Sequence, residues 1–96
     1  VNKQRLRAFV SGYVQGVGFR WHVIQAVKLR IPGITGWIRN RQDGRVELLV
    51  EGTDEELDAL LEVLNTGPTS ASVRLVETEF SAAVGDLKGF DVNYTA

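Results

Sequence analysis

Between Arg5 and Tyr13 the chain reads RLRAFVSGY, with Leu6, Ala8, Val10 and Gly12 on one side and Arg5, Arg7, Phe9, Ser11 and Tyr13 on the other. A period of two is that of a half-buried strand. The alternation breaks over Val14 to Arg20, VQGVGFR, where two glycines two residues apart predict a tight loop with exposed backbone. Val23, Ile24, Val27 and Ile31 then recur at helical spacing, which predicts an amphipathic helix from Trp21 to about Arg30, stopped by Pro32-Gly33. The stretch TGWIRNR, 35–41, predicts a second strand, and Asp43-Gly44 within 41–45 a hairpin turn into RVELLVE, 45–51. Thr53 with Glu56 three residues on is a capping box ahead of Leu57, Leu60, Leu61 and Leu64, and Gly67-Pro68 ends that helix. Residues 73–80 alternate once more, and GFDVNY, 89–94, makes a short last strand.

The order βαββαβ with a terminal strand predicts an α+β, ferredoxin-like two-layer sandwich, an antiparallel sheet with two helices on one face. With 96 residues there is room for one core and no second, so 1–96 is expected to be a single domain. Cys is absent and His22 is the only histidine, which removes disulfide scaffolds, zinc ribbons, iron–sulfur centres and thiol catalysis. Neither a metal nor a cofactor is expected. No apolar run approaches the ~18 residues of a membrane span, and the first residues lack a secretory pattern. The expectation is a cytoplasmic monomer with no membrane partner.

Charge changes the picture. Residues 1–45 carry nine basic groups and one acid, +8, while residues 46–96 carry two basic groups and eleven acids, −9. Such asymmetry is a cue for nucleic acid or another anion as partner, unless the halves neutralise each other within one fold. The predicted topology favours the second reading. With β1 beside β3, Arg5 and Arg7 share the open sheet face with Glu47 and Glu51, and the basic first helix lies beside the acidic second.

In the same topology β1 and β2 run parallel with β3 between them, so the loop leaving β1 and the end of β2 emerge at one edge, roughly 10 Å apart. Gly16, Gly18 and Arg20 then face Asn40, which shares the face of Ile38. The loop Gln15–Arg20 has what an oxyanion site needs. Gly16 and Gly18 let backbone N–H groups turn inward as a nest; the helix start adds free N–H groups and the positive end of its dipole; Arg20 adds a planar fork for two phosphate oxygens. Taken alone, a Gly-x-Gly loop before a helix is equally plain turn chemistry, and it is neither a Walker loop nor a full G-x-G-x-x-G.

The combination is more specific. Val10 to Arg20, VSGYVQGVGFR, followed by Gly36-Trp37-Ile38-Arg39-Asn40 and Asp43-Gly44-Arg45-Val46-Glu47, closely resembles the acylphosphatase family, and the resemblance extends through the capped second helix to Gly89-Phe90. It implies hydrolysis of the carboxyl–phosphate anhydride of acyl phosphates. It further implies that Arg20 and the backbone N–H groups of Gln15, Gly16, Val17, Gly18, Phe19 and Arg20 bind the phosphate, and that Asn40 orients the attacking water. One departure is a stretch from Arg20 to Asn40 about two residues longer than the family's usual one. A loop at Pro32-Gly33 absorbs this without disturbing the site, whereas a slip of β2 by one residue would send Asn40 to the opposite face.

The chemistry fits these residue types. An acyl phosphate leaves as a carboxylate with an unperturbed pKa near 4, so no general acid is required and the scarcity of histidine is no obstacle. Phosphoryl transfer is largely positioning and charge stabilisation, which Arg20 and the nest supply. His22 reads as a packed or capping ring, and Asp54-Glu55-Glu56-Asp58 as helix capping in preference to a cation site. Arg39 and Arg41 either steer an anionic substrate or belong to a solvated strand face; Phe9 and Trp37 either stack bases or pack across strands. An RNA-recognition sheet of this topology needs aromatics on β3, where this chain has Glu47 and Glu51, so nucleic acid is not an expected partner. The remaining alternatives are a non-catalytic phosphate-binding module and the acylphosphatase-like module of a carbamoyl-transfer protein, which continues into Cys-rich zinc motifs; a free-standing enzyme is expected.

Overall fold

In the computed structural model, which describes residues 2–93, the elements run β1 (Lys3–Tyr13), α1 (Phe19–Arg30), β2 (Thr35–Asn40), β3 (Val46–Thr53), α2 (Asp54–Thr66), β4 (Ser72–Ala82) and β5 (Phe90–Val92). The strands form one sheet in the order β4-β1-β3-β2-β5. Both helices pack on one face of it, which is the expected sandwich. The sheet is antiparallel except at its last edge, where β5 runs parallel to β2. Tyr94, the last residue of the predicted terminal strand, lies outside the described residues.

The core follows the patterns that predicted it. Leu6, Ala8 and Val10 of β1, Ile38 of β2, and Val46, Leu48 and Val50 of β3 meet Val23 and Val27 of α1 and Leu57, Leu60, Val63 and Leu64 of α2. The capping box forms as read: the Thr53 side chain accepts from the Glu56 N–H and the Glu56 carboxylate accepts from the Thr53 N–H. Glu56 is thereby committed to the cap, and Asp54 accepts from Gln4 Nε2 at 2.7 Å. No helix among the described residues is long and apolar enough to cross a membrane.

Three expectations need correction. Helix α1 begins at Phe19, two residues early, because the Phe19 side chain is buried in the core and Gly18, at φ 81°, ψ 15°, takes the left-handed turn that starts the helix. Strand β3 is not half-solvated. It is buried on both faces, Glu47 and Glu51 included, since arginines and the segment after β4 cover the side away from the helices. Finally, the neutralisation expected between the helices is absent; among the described residues every ion pair lies on the sheet or its turns, none between α1 and α2.

The longer connection before β2 is taken up locally. Helix α1 closes at Ile31, the Ile34 N–H donates to the Ile31 carbonyl, and both isoleucines are buried as plugs beneath Pro32-Gly33. Strand β2 then enters in a register that is tightly held. An added Cβ at Gly36 would collide with the Leu49 carbonyl and sit 2.7 Å from Val50 Cα, so only glycine fits there. Ile38 pairs with Leu48 and Asn40 with Val46, which keeps Asn40 on the helix-side face.

Candidate active site

The segment between β1 and α1 is held by three apolar anchors and leaves its polar backbone free. Val14 and Phe19 are buried and Val17 packs against the core, while Gly16 and Gly18 between them are exposed. Both glycines have positive φ, 74° and 81°, and neither has an atom within 4 Å of an added Cβ. Glycine is therefore required here by backbone conformation and not by crowding. Further ties come from outside the loop: the Gln15 amide donates to the carbonyls of Arg41 and Arg45 at 2.7 and 2.9 Å, and the Ser70 hydroxyl donates to the Val17 carbonyl at 2.7 Å. The first helical bond is His22 N–H to the Gly18 carbonyl, so the N–H groups of residues 15–20 find no acceptor among the described residues.

Gly16, Gly18, Phe19, Arg20 and Asn40 line one cavity of about 240 Å³ at this edge of the sheet, with Val14, Trp21, Ile24 and Val92 completing its wall. Two observations single it out. Arg20 shares with Arg30 and Arg74 the absence of a carboxylate partner among the described residues, whereas Arg5, Arg7, Arg39, Arg41 and Arg45 all have one, and of the three unpaired arginines it alone lines this cavity. The Asn40 Oδ1 is buried without a hydrogen-bond partner, a cost of order 1–3 kcal/mol unless a donor reaches it. Arg20, the unpaired N–H groups of Gly16, Gly18 and Phe19, and the residue of the unsatisfied amide oxygen thus border one small space, which Gln15 and Val17 do not line.

The predicted site residues sort accordingly. Arg20 and Asn40 are brought together, and Gly16 and Gly18 form the lip between them. Gln15, expected only through its N–H, also works through its side chain by tying the loop to the β2–β3 turn. Phe19 contributes as the first helical residue, its ring wedged beneath Gly67, where an added Cβ would come within 3.2 Å of Phe19 Cε1. His22 is not part of the site: it lines a separate cavity of about 310 Å³ between α1 and α2, with Arg30, Glu62 and Thr66.

Arg39 and Arg41 are committed elsewhere. On the face of the sheet away from the helices, Glu47 accepts from Arg39 Nε at 2.9 Å and Arg41 Nη1 at 3.1 Å, and from Arg7. Burial pushes the Glu47 carboxyl up, but the hydrogen bonds from Arg39 and Arg41 with the charges of Arg39 and Arg7 outweigh it and hold the group below its ordinary value. Glu51 behaves alike. Burial raises it, and the Val84 N–H, Arg5 and the Gly85 N–H bring it lower. Asp43 in the hairpin turn is held well below the usual carboxylate range by the Arg45 guanidinium and N–H, with Arg41 adding to them. Phe9 and Trp37 are capped by guanidinium groups, Arg45 at 4.5 Å and Arg39 at 4.7 Å from the ring centres, so their faces are occupied from within the chain.

The arrangement has counterparts. A family model described as acylphosphatase matches residues 6–92. An acylphosphatase of Nocardia farcinica is 46% identical over 87 residues, covering 91% of this chain and 85% of that protein. One of Vibrio cholerae is 43% identical over 93 residues, 96% and 99% of the two chains. The crystal structure of acylphosphatase from Bacillus subtilis superposes with a TM-score of 0.87 at 34% identity, covering 95% of this chain and 99% of that one.

Proposed function

The chain belongs to the acylphosphatase family, hydrolases of the carboxyl–phosphate bond of acyl phosphates, and from that premise we propose that Arg20 and Asn40 are its catalytic residues and that the backbone N–H groups of residues 15–20 bind the phosphoryl group. The observation that carries this reading is the shared cavity in which an unpaired guanidinium meets an unsatisfied amide oxygen.

Arg20 grips two phosphoryl oxygens through its fork, and the loop N–H groups take the third. As charge develops on the equatorial oxygens these fixed donors stabilise it without reorganising. The Asn40 Oδ1 accepts from an O–H of the attacking water and fixes its approach. Water oxygen bonds to phosphorus as the bond from phosphorus to the acyl oxygen breaks, and that electron pair leaves on a carboxylate. The departing group needs no proton. An amide is too weak a base to take the water proton, which passes to a phosphoryl oxygen of the substrate, so the products are carboxylate and inorganic phosphate. Because the guanidinium and the N–H groups already supply positive charge, the reaction runs without a metal. In this proposal residues 1–96 act as a single catalytic domain, a monomer in the cytoplasm, with no nucleic acid or membrane partner.

The test is hydrolysis of benzoyl phosphate with EDTA present. Wild type turns over, Arg20→Ala loses phosphate binding and turnover, and Asn40→Ala lowers kcat by about 10²–10³, the scale of one lost transition-state contact. Full kcat in Asn40→Ala would refute the water-positioning role, and full activity in Arg20→Ala the site.

A further inference from the structure

The cavity that holds Arg20 and Asn40 has two unlike halves. One is the polar lip of Gly16, Gly18, Arg20 and Asn40; the other is a wall of Trp21, Ile24 and Val92 over the buried Val14 and Phe19. One water claims about 30 Å³, and a phosphoryl group with its attacking water takes up only part of the roughly 240 Å³ available. The remainder borders the apolar wall. Among the described residues no charged side chain other than Arg20 lines the cavity.

The wall is assembled from two elements. Trp21 and Ile24 stand three residues apart on α1 and share a face. Val92 comes from β5, which is fixed parallel to β2 with Val92 opposite Ile38, and is held there by Gly36 N–H to the Gly89 carbonyl at 2.7 Å and Asn93 N–H to the Ile38 carbonyl at 2.9 Å. Trp21 is 68% exposed and Val92 47% exposed. Two large apolar side chains left open to water directly beside an anion cradle are a surface that an apolar ligand group would cover.

We propose that Trp21, Ile24 and Val92 form the acyl-group subsite, selecting aromatic and branched apolar acyl phosphates over acetyl phosphate and over acyl groups that carry a second carboxylate. This inference rests on the cavity being the active site. With phosphate fixed by Arg20 and the loop, the acyl group extends toward α1 and β5, its ring or branch lying against the indole and the Val92 methyls. A second carboxylate would meet no cation there and would lose its hydration against that wall.

The experiment compares kcat/KM for acetyl, butyryl, benzoyl and succinyl phosphates in wild type, Trp21→Ala, Val92→Ala and Trp21→Lys, with Arg20→Ala as reference. All three wall variants alter exposed side chains and are expected to fold. Trp21→Ala should lower the benzoyl-to-acetyl ratio about tenfold, the lower end for one apolar contact in a pocket. Val92→Ala should lower it in the same direction by a smaller factor, and Trp21→Lys should raise succinyl relative to benzoyl phosphate. If both alanine variants leave the ratio within twofold of wild type while Arg20→Ala abolishes turnover, the subsite is overturned and the catalytic site stands. If Arg20→Ala still hydrolyses acetyl phosphate, both fall together.

Discussion

Replacing Glu47 by Gln keeps the shape of a fully buried side chain and removes only its charge, which makes it a clean probe of the side of the sheet away from the helices. In the native chain that carboxylate binds Arg7, Arg39 and Arg41, whose side chains are 38%, 27% and 30% exposed. Stripping one partner from a fully buried ion pair costs about 3–5 kcal/mol. Here the arginines remain partly in water and recover some solvation, which lowers the expected loss to about 2–3 kcal/mol. The amide also turns an NH2 toward a guanidinium, donor against donor. For a domain of this size each kcal/mol moves Tm by roughly 4–8 °C, so thermal unfolding at pH 7 should show a drop on the order of 10–20 °C. The pH dependence supplies a second check. Because the folded pKa lies below the unfolded value of about 4.3, the charge contributes fully above that value and its contribution is lost as pH falls through the lower folded pKa. The gap between wild type and Glu47→Gln should therefore close in strong acid. A loss under about 0.5 kcal/mol at pH 7, or a gap as large at pH 2 as at pH 7, would refute the reasoning.

The other expectations are shorter. Gly18→Ala forces a side chain into the left-handed region without any collision, so stability should fall by about 1–2 kcal/mol while inhibition by inorganic phosphate weakens more than tenfold; an unchanged inhibition constant would mean the loop does not bind the anion. Glu51→Gln should free the chain around Val84 and Gly85, whose N–H groups the Glu51 carboxylate accepts at 2.7 and 3.0 Å, read as faster amide exchange there and earlier proteolysis, and wild type should lose this clasp only as pH falls through a folded pKa that lies below the ordinary glutamate value. Since among the described residues neither a carboxylate nor a histidine lines the proposed catalytic cavity, kcat should stay flat from pH 5 to 8, and an inflection removed by His22→Gln would contradict the placement of His22 in the inter-helix cavity.

Much of the fold was legible because it is written in local signals. The alternation of Leu6, Ala8 and Val10, the Thr53–Glu56 box and the Asp43-Gly44 turn each act within a few residues, and each forms where the pattern put it. The start of α1 was misread because Gly18 and Phe19 look like loop and reveal themselves as a cap and an anchor only when Gly67 comes to lie over the Phe19 ring. Arg20 and Asn40 were visible because topology alone carries the end of β1 and the end of β2 to one edge. Gln15 reaching two carbonyls of the β2–β3 turn, Arg39 and Arg41 closing on Glu47, and Val84 with Gly85 docking on Glu51 were not, since each joins a side chain to distant backbone or charge with no spacing to mark it. The open, apolar half of the cavity was hidden for the same reason: Val92 reaches it only through the parallel pairing of β5 with β2.

The charge split between the two halves of the chain has a spatial logic that the sequence alone states only in part. Arg5 meets Glu51 directly opposite it in the β1–β3 ladder, and Arg7 reaches diagonally to Glu47, which stands opposite Phe9. The first-turn acids of α2, Asp54, Glu55 and Glu56, by contrast, lie at its own N-terminus, and the basic residues of α1 have no ion-pair partners among the described residues. Ion pairing among the described residues is thus confined to the sheet, the β2–β3 turn and the segment after β4, and Arg20 stands apart from it at the start of α1. At physiological salt, exposed charges are screened within about 8 Å, so an anion approaching the cavity responds to Arg20 and the loop N–H groups more than to the paired arginines behind the sheet. For Arg39 or Arg41 to contact substrate, each would first have to give up its bond to the buried Glu47 carboxylate. Of the eight arginines, five are committed to carboxylates on the sheet and its turns, while Arg20, unpaired among the described residues, is the one that lines the cavity with Asn40.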